Sequence, residues 1–341
     1  MTIPLGIFRQ KRMPLTYIII NVIYTLVFLS SSYLLIIFTD LNYKSMLWGH
    51  TLAAIISFAF GMIKAYKFIE IKFSSSLYKK MFKFGFSILL NSLSFIIILA
   101  STRFFLKYNG TFEDVGILGM AMRLSLFVGA LLISPFTLAW LPFVKTQIDK
   151  KDFFRTMNNA FRIFSWVGLL FCLTFELLIH DFFHLIKNTE YLSALNYVLP
   201  FTLAYFVQGL YFIFSAGIFI SGNTRQYRII GIVGPTLNII LYFIFLNHVN
   251  IQVVGIITLI SFVVTTVLSY IFGNKNLKIK VFTSENLIIY IAYFVLLMIV
   301  VNLPVFRIFS SIAFLIKILS IFTIFGVHLL WEKKLVLSPV K

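Results

Sequence analysis

Long apolar runs alternate with short polar segments along almost the whole chain. Each run lasts about 17–25 residues, long enough for a helix to cross a hydrocarbon core of roughly 30 Å. We count ten runs: Leu15–Phe38, Leu47–Ile63, Phe84–Ser101, Val115–Phe143, Ile163–Ile179, Ala194–Ile220, Ile229–Leu246, Ile251–Phe272, Leu287–Leu303 and Ser310–Leu330. Because lipid offers no partner for unpaired backbone groups and the runs are too long for barrel strands, the pattern predicts an all-α, polytopic integral membrane protein with about ten transmembrane helices.

Composition supports the membrane assignment and excludes a soluble fold. Of the 341 residues, 60% are hydrophobic and 12% are charged, whereas soluble domains have roughly 45–50% apolar and 25% charged residues. Cys172 is the single cysteine and lies within a run, which excludes disulfides and cysteine-based metal sites. We expect no cofactor.

The basic residues sort onto one side of the predicted membrane. Most lie in the N-terminal segment, in residues 64–83 and 145–162, and in the later segments on the same side of the membrane. The opposite side holds only Lys44, Arg103, Lys107, Lys187 and Arg307. Basic loops are typically cytoplasmic, so we predict an even number of spans with both termini in the cytoplasm. The same rule accounts for the net charge of +18. We therefore expect contacts with anionic membrane lipids and no nucleic-acid partner.

Arg123 is a cation inside a predicted span. It follows Val115 by eight residues, roughly 12 Å along a helix at 1.5 Å per residue. Arginine near a helix centre costs on the order of 2.5–3.5 kcal/mol. Three explanations stay open: Arg123 lines a polar cavity, pairs with Glu176 to pin two helices, or snorkels to the interface. We expect Lys317, also within a run, to reach the interface with its long side chain.

Other polar residues within or beside the runs give weaker signals. His180 and His184 in the stretch HDFFH are four residues apart, a spacing that can bind metal, but without a convincing third ligand we predict no metal site. Glu113 and Asp114 precede a span and are predicted to stabilise its positive N-terminal end.

Helix-breaking residues fall inside several runs. They are Pro135, Pro142, Pro200 and the pair Gly234-Pro235. A proline kinks a membrane helix, and neighbouring helices must then satisfy the freed carbonyl. These positions are either adjustments of shape within a bundle or bends that line a substrate path.

The stretch STRFFLKYNGTFEDVGILGMAMRLSLFVGALLISPFTLAWLPFVK resembles the middle of the oligosaccharide flippases, a polysaccharide-exporter family related to the MATE transporters. The matching motifs are Arg103-Phe104-Phe105, Val115-Gly116-Ile117, Arg123 and Ala139-Trp140-Leu141-Pro142-Phe143. GNTRQYRIIGIVGPTLNIILYF and VVGIITLISFVV resemble later family segments. Thr102 and Leu118 depart from the Asp and Tyr that are usual in the family.

The resemblance implies a two-lobed, MATE-like architecture. Family members have about fourteen helices, and the matching motifs place the third run of this chain at the start of the second lobe. Residues 1–72 would then form a partial first lobe of two helices, residues 73–273 a complete second lobe of six, and residues 274–341 the final pair. Four helices of the family pattern are missing from this arrangement. A separate partner chain is one possible source of them.

The resemblance also implies a function. Such a protein moves polyprenyl-pyrophosphate-linked oligosaccharide across the bacterial inner membrane by alternating access, for cell-surface polysaccharide of the O-antigen or capsule type. Arg123 would anchor the anionic pyrophosphate, Arg103 would bind nearer the outer mouth, and Glu176 is a possible charge partner. No catalytic residue is expected.

Three alternatives to this function stay open. One is a truncated or partner-dependent member of the family without transport activity of its own. Another is a membrane enzyme, such as a glycan polymerase or an acyltransferase. The predicted outer loops of this chain are short, and no deep cluster of His, Asp and Glu is evident, which counts against an enzyme. The last is an exporter of cationic drugs, but the buried cations favour an anionic substrate.

Overall fold

The structure is a computed structural model that describes residues 2–11, 13–69, 74–186, 191–281, 283–302, 317–321 and 323–326. The described residues form α-helices and short helical turns. The helices are α1 (Thr2–Gln10), α2 (Pro14–Phe38), α3 (Lys44–Ala65), α4 (Ser75–Asn109), α5 (Phe112–Val128), α6 (Ser134–Gln147), α7 (Phe153–Ile186), α8 (Val198–Ser221), α9 (Arg225–Ile244), α10 (Ile251–Leu277) and α11 (Ser284–Asn302). The all-α prediction is confirmed.

Eight helical segments of the described chain are long and apolar enough to cross a membrane. They coincide with the first eight predicted runs. The ninth predicted run coincides with α11. Of the tenth, Ser310–Leu330, the structure describes only helical residues 317–321 and 323–326, here called the C-terminal segment. The chain is therefore a multi-pass membrane protein.

Contacts divide the chain into two compact units, residues 1–78 and 79–341, with the boundary inside α4. In the first unit, every fourth residue on one face of α3 is small and buried, from Ser45 through Gly49 to Ala65. A Cβ atom at Gly49 would overlap the Ser32 side chain of α2. Small residues at such spacing let membrane helices approach closely, and this pattern explains the α2–α3 pairing.

The second unit is built around the close packing of α8 against α10. A Cβ atom at Gly217 would overlap the backbone carbonyl of Gly273, and one at Gly273 would overlap that of Phe214. The Asn276 side chain donates a hydrogen bond to the Gly217 carbonyl at 3.0 Å. Glycine is required at both crossing positions because any side chain would push the two backbones apart.

Aromatic side chains fill the remaining core of the second unit. Phe105 of α4 stacks on Tyr242 of α9, with ring centroids 4.5 Å apart. Trp166 and Phe161 of α7 are almost fully buried in a larger apolar cluster shared with α8. Aromatic pairs in such geometry contribute about 0.5–1.5 kcal/mol beyond the area they bury.

A buried amide connects three helices. The Ser101 hydroxyl of α4 donates to Asn238 Oδ1 at 2.7 Å, and Asn238 Nδ2 donates to the Ser261 hydroxyl of α10 at 2.9 Å. Asn238 lies on α9 and is fully buried. In lipid an unpaired amide is costly, so these bonds favour one arrangement of α4, α9 and α10.

The long span that contains Arg123 is interrupted by a wide turn. Residues Gly129–Ile133 form a π-helical segment, closed by a hydrogen bond from the Ser134 N–H to the Gly129 carbonyl. Pro135 follows immediately. Its ring would clash with the carbonyl four residues earlier in a regular α-helix, and the wider turn relieves that clash.

The N-terminus of α5 is capped as predicted for Asp114. The Thr111 side chain accepts a hydrogen bond from the Asp114 N–H, and the Asp114 carboxylate accepts one from the Thr111 N–H. This reciprocal capping box satisfies two backbone donors at the start of the span that carries Arg123.

The expectation for Lys317 is wrong. Its side chain does not extend to the interface but is fully buried, and it forms an ion pair with Asp181 of α7. A buried ammonium is tolerated when a carboxylate neutralises it at short range. Asp181 supplies that carboxylate from a helix distant in sequence.

Candidate functional site

The helices α4 and α5 touch at a level that sets the position of both predicted arginines. Thr102 Oγ1 of α4 lies 3.7 Å from Met122 Sδ of α5, and both side chains are buried. Arg103 and Arg123 are the next residues along the two helices. With a rise of 1.5 Å per residue, the two arginines start from nearly the same depth in the bundle.

Arg123 lies on the face of α5 that points away from α8. The opposite face, with Leu118, Ala121 and Ser125, is buried. Three residues on the Arg123 face, Gly116, Gly119 and Ala130, are small, and no atom lies within 4 Å of a Cβ atom built at either glycine. The Arg123 side chain is exposed, so the space before this face is open in the isolated chain.

Arg103 is also exposed. Tyr205 of α8 is buried within electrostatic range of its guanidinium. The Tyr205 ring lies beside Gly129, where a Cβ atom would be 3.9 Å from it. Helices α4, α5 and α8 therefore all contribute to the surroundings of the two arginines.

No carboxylate within the described ranges forms an ion pair with Arg103 or Arg123. The ion pair found in the described ranges joins Lys317 to Asp181. Guanidinium groups stay charged at any physiological pH. Two such cations at one level of a membrane protein attract an anion, and their planar donors suit phosphate oxygens.

Glu176, the predicted charge partner, lies elsewhere. It is buried on α7, only 7% exposed, and its carboxyl group faces the Thr202 hydroxyl of α8. Oε1 accepts no hydrogen bond from the residues that the structure describes. The structure thus brings Glu176 to α8 and does not bring it to Arg123.

An apolar groove lies between α5 and α7. It has a volume of about 260 Å³ and is open on one side. Its wall on α5 contains Leu124 and Phe127, directly after Arg123 and one turn beyond it. The wall on α7 is formed by Phe171, Thr174, Phe175, Leu178, Ile179 and Phe182. Arg123 precedes Leu124 in the chain and is not one of the residues that line the groove.

No group of three His, Cys, Asp or Glu side chains that could hold a metal ion is found in the described part of the chain. His180 is half-buried on α7, and the His184 side chain lies outside the described residues.

Sequence reasoning missed several contributors to this region. Tyr205, Thr202 and the groove on α7 carry no local motif, because aromatic, aliphatic and hydroxyl residues are abundant in every span. Ser125 and Thr202 are hydrogen-bonded 77 positions apart. Such contacts depend on how distant helices pack, which no spacing within one span reveals.

Comparison with known proteins agrees with this architecture. A sequence profile described as "Polysaccharide biosynthesis protein" matches residues 6–179. The lipid II flippase MurJ in an inward closed conformation is similar in structure, with a TM-score of 0.65 and 18% identity, covering 92% of this chain. A MATE crystal structure in the straight conformation gives a TM-score of 0.62 at 15% identity, covering 81% of this chain.

The structural matches cover about two thirds of each related protein. The chain spans 67% of the MurJ chain and 65% of the MATE chain. No curated protein sequence gives a significant match. The related folds are those of transporters and flippases. Because the profile covers just over half of its residues, the chain belongs to the polysaccharide biosynthesis protein family, and its fold is that of the MATE and MurJ transporters.

Proposed function

We propose that this protein moves polyprenyl-pyrophosphate-linked oligosaccharide from the cytoplasmic to the outer leaflet of a bacterial inner membrane. The observation that carries the proposal is the pair of exposed arginines, set at nearly one depth by the Thr102–Met122 contact, with an apolar groove lined by the residues that follow Arg123 on α5. The product would serve cell-surface polysaccharide of the O-antigen or capsule type. Membership of a polysaccharide biosynthesis family supports this direction.

The chemistry of the site fits such a substrate. A pyrophosphate carries several negative charges, and Arg103 and Arg123 offer guanidinium donors that bind phosphate oxygens in pairs. The groove formed by Leu124, Phe127 and α7 offers apolar surface to the first isoprene units of the carrier. A cationic drug would meet repulsion from both arginines, which makes it the poorer candidate.

Transport by alternating access requires Arg123 to be reached from each side in turn. The π-helical segment Gly129–Ile133 lies two turns beyond Arg123 on the same span, and such segments are frequent at functional sites. We assign both termini and the basic loops to the cytoplasm, where anionic headgroups would hold them.

The test is a set of variants at Arg123. Arg123→Ala should abolish glycan export in a flippase-deficient strain at normal membrane abundance, because the anchor for pyrophosphate is lost. Arg123→Lys should retain part of the activity, since charge persists without the paired donors. Lys151→Ala, an exposed loop cation, serves as the matched control and should export normally. Normal export by Arg123→Ala would refute the assignment.

A second candidate is a family member that works only with a partner chain. In this candidate the partner would supply the part of the two-lobed fold that the chain does not span, since it covers 65% and 67% of its structural relatives. Expression of the 341-residue chain alone in the deficient strain separates the two. Restored export excludes a required partner. Absent export that returns when neighbouring membrane proteins of the native cell are co-expressed supports it.

A further inference from the structure

A second cavity, here called the aromatic pocket, lies between α6, α8 and α9. It has a volume of about 220 Å³ and is open on one side. Four of its lining residues are aromatic and three carry a hydroxyl group; they are Trp140, Phe212, Phe219, Tyr227, Thr137 and Ser215, with Tyr227 in both sets. The groove between α5 and α7 differs, because among its lining residues in the described chain only Thr174 carries a hydroxyl.

Hydrogen bonds and ring contacts hold the walls of the aromatic pocket in place. The Trp140 indole N–H donates to the Ile213 carbonyl at 3.3 Å, and its ring stacks on Phe136 with centroids 5.2 Å apart. The Tyr227 hydroxyl donates to the Ser215 carbonyl at 2.7 Å. A ligand that enters a pocket with ordered walls pays less conformational entropy than one that must order them.

The three hydroxyl protons of the pocket are already used within the protein. The Thr137 hydroxyl donates to the Ser134 carbonyl at 3.0 Å. The Ser215 hydroxyl donates to the Phe212 carbonyl at 3.0 Å, and the Tyr227 proton is given to the Ser215 carbonyl. A hydroxyl has one proton to give and two lone pairs that accept. The lining therefore offers acceptors between aromatic side chains, and it fits a ligand that donates hydrogen bonds.

The charge beside the pocket narrows the class of ligand. Lys145 Nζ lies 4.8 Å from the centroid of the Phe219 ring, and Lys145 is exposed. A donor that is itself a cation, such as an amine, would be repelled by this ammonium. A hydrocarbon chain would cover the hydroxyl oxygens without giving them a donor, which costs free energy. A sugar meets both conditions, because its ring has C–H faces and its edge carries hydroxyl donors.

We propose that the aromatic pocket binds one pyranose ring. The C–H face of the sugar packs on the aromatic walls, and its hydroxyls donate to Thr137, Ser215 and Tyr227. Tryptophan and tyrosine present large flat apolar faces, and small-molecule pockets combine such walls with a few placed polar groups that fix orientation. The pocket is separate from the arginines, because Trp140 follows Arg123 by 17 residues, roughly 25 Å along the span.

This distance determines which part of a glycan the pocket can hold. A sugar bonded directly to a pyrophosphate at Arg123 would not reach Trp140. The pocket therefore binds the glycan at the end of the span that leads into the basic segment 145–162, before the pyrophosphate reaches Arg123. This role in transport rests on the proposed function, whereas the binding of a sugar does not.

Saturation-transfer NMR on the purified full chain tests the pocket with free sugars. The protein is placed in lipid nanodiscs, because glycoside detergents would compete. The probes are methyl glucoside, methyl galactoside and N-acetylglucosamine, and the ring C–H protons of at least one should be saturated, most strongly on one face. Sorbitol has comparable hydroxyls but no ring face and should receive little saturation, as should choline. No transfer to any of the three sugars, or stronger transfer to choline or sorbitol, would overturn the proposal.

A pair of matched variants locates the binding. Thr137→Val removes one acceptor at nearly constant shape and should weaken sugar binding by about tenfold. Thr146→Val is the control, since Thr146 is an exposed residue of α6 whose hydroxyl donates to the carbonyl three residues earlier, as that of Thr137 does. The control should bind sugar as the wild type does. Equal affinities in the two variants would contradict the assignment of the pocket.

Glycan export separates the pocket from the proposed function. Thr137→Val should slow export at normal membrane abundance, and Thr146→Val should not. Normal export by Thr137→Val despite weakened sugar binding would refute the role of the pocket in transport. If the wild type binds sugar and Thr137→Val binds it weakly, but neither exports glycan, the proposed function fails and the sugar site stands.

Discussion

Lys317 Nζ lies 2.7 Å from one carboxylate oxygen of Asp181 and 2.9 Å from the other. The two side chains are 0% and 2% exposed, so the pair is removed from solvent on every side. It joins α7 to the C-terminal segment, across 136 positions of sequence. A pair of this kind contributes little relative to well-packed apolar residues, but each partner depends strongly on the other.

Removing one member of this pair should therefore be more damaging than removing both. Lys317→Ala leaves the Asp181 charge buried without a partner and should lower the free energy of unfolding by about 3–5 kcal/mol. Replacing Lys317 with Met and Asp181 with Leu together should restore most of it. Denaturant unfolding in detergent measures both values.

Lys151→Ala provides the control for Lys317, because Lys151 is exposed. We expect it to change stability by less than about 0.5 kcal/mol. A double variant no more stable than Lys317→Ala would contradict the dependence of each residue on the other.

The crossing of α8 and α10 should not tolerate even one methyl group. Gly217→Ala and Gly273→Ala each place a Cβ atom on a backbone carbonyl of the facing helix, and backbone cannot move aside as a flexible side chain does. We expect losses of about 1–3 kcal/mol in unfolding free energy, with slower accumulation in the membrane.

Gly85→Ala is the matched substitution, since nothing lies within 4 Å of its Cβ position in α4. It should be neutral or stabilising by about 0.5–1 kcal/mol, because alanine restricts the unfolded chain. Equal effects at Gly85 and Gly217 would argue against a packing origin.

The hydrogen bonds of Asn238 should be measurable as a coupling energy. A double-mutant cycle between Ser101→Ala and Asn238→Ala removes the 2.7 Å contact from either side. We expect a coupling of about 0.6–1.7 kcal/mol, the range found for polar contacts between membrane helices. The cycle is read from thermal or denaturant unfolding. A coupling indistinguishable from zero would mean that Asn238 holds α9 through Ser261 alone.

Pro135 should determine the wide turn before it. Pro135→Ala supplies an N–H donor and removes the ring clash, so residues 129–133 should relax toward a regular α-helix. Hydrogen exchange of the amides in this segment should slow by about tenfold, equivalent to about 1.4 kcal/mol of added protection.

Pro142→Ala offers a comparison within the same span, since Pro142 lies inside α6 with regular α-helix directly before it. It should leave exchange at residues 129–133 unchanged. Faster exchange in Pro135→Ala would show that the wide turn has another cause.

The apolar runs predicted where the chain crosses the membrane better than where each helix ends. The run Phe84–Ser101 lies within α4, which extends from Ser75 to Asn109, and Ile163–Ile179 lies within α7, Phe153–Ile186. Hydrophobicity marks the part of a helix that contacts lipid, whereas backbone hydrogen bonds continue until a cap ends them. The start of α5 was the one marked in the sequence, by Glu113 and Asp114, and the structure adds the Thr111 side chain to that cap.

The candidate site was predictable in part for the same reason. A cation inside an apolar run costs free energy on insertion into the membrane and is therefore kept for a reason, so Arg123 could be selected from the sequence. The partners of Glu176 and Lys317 could not, because both come from distant helices and their choice depends on packing. Lys317 looked able to reach the interface, yet only the fold shows that Asp181 lies within reach.

The wide turn at Gly129–Ile133 divides one membrane span into two helices, α5 and α6, and changes the direction in which the later residues face. The first, α5, is hydrogen-bonded to α8 by the Ser125 hydroxyl at 3.1 Å from the Val198 carbonyl. The second, α6, is hydrogen-bonded to the same helix by the Trp140 N–H at 3.3 Å from the Ile213 carbonyl. The extra residue in the turn therefore sets the angle about the span axis between Arg123 and Trp140, which a regular α-helix of the same sequence would change.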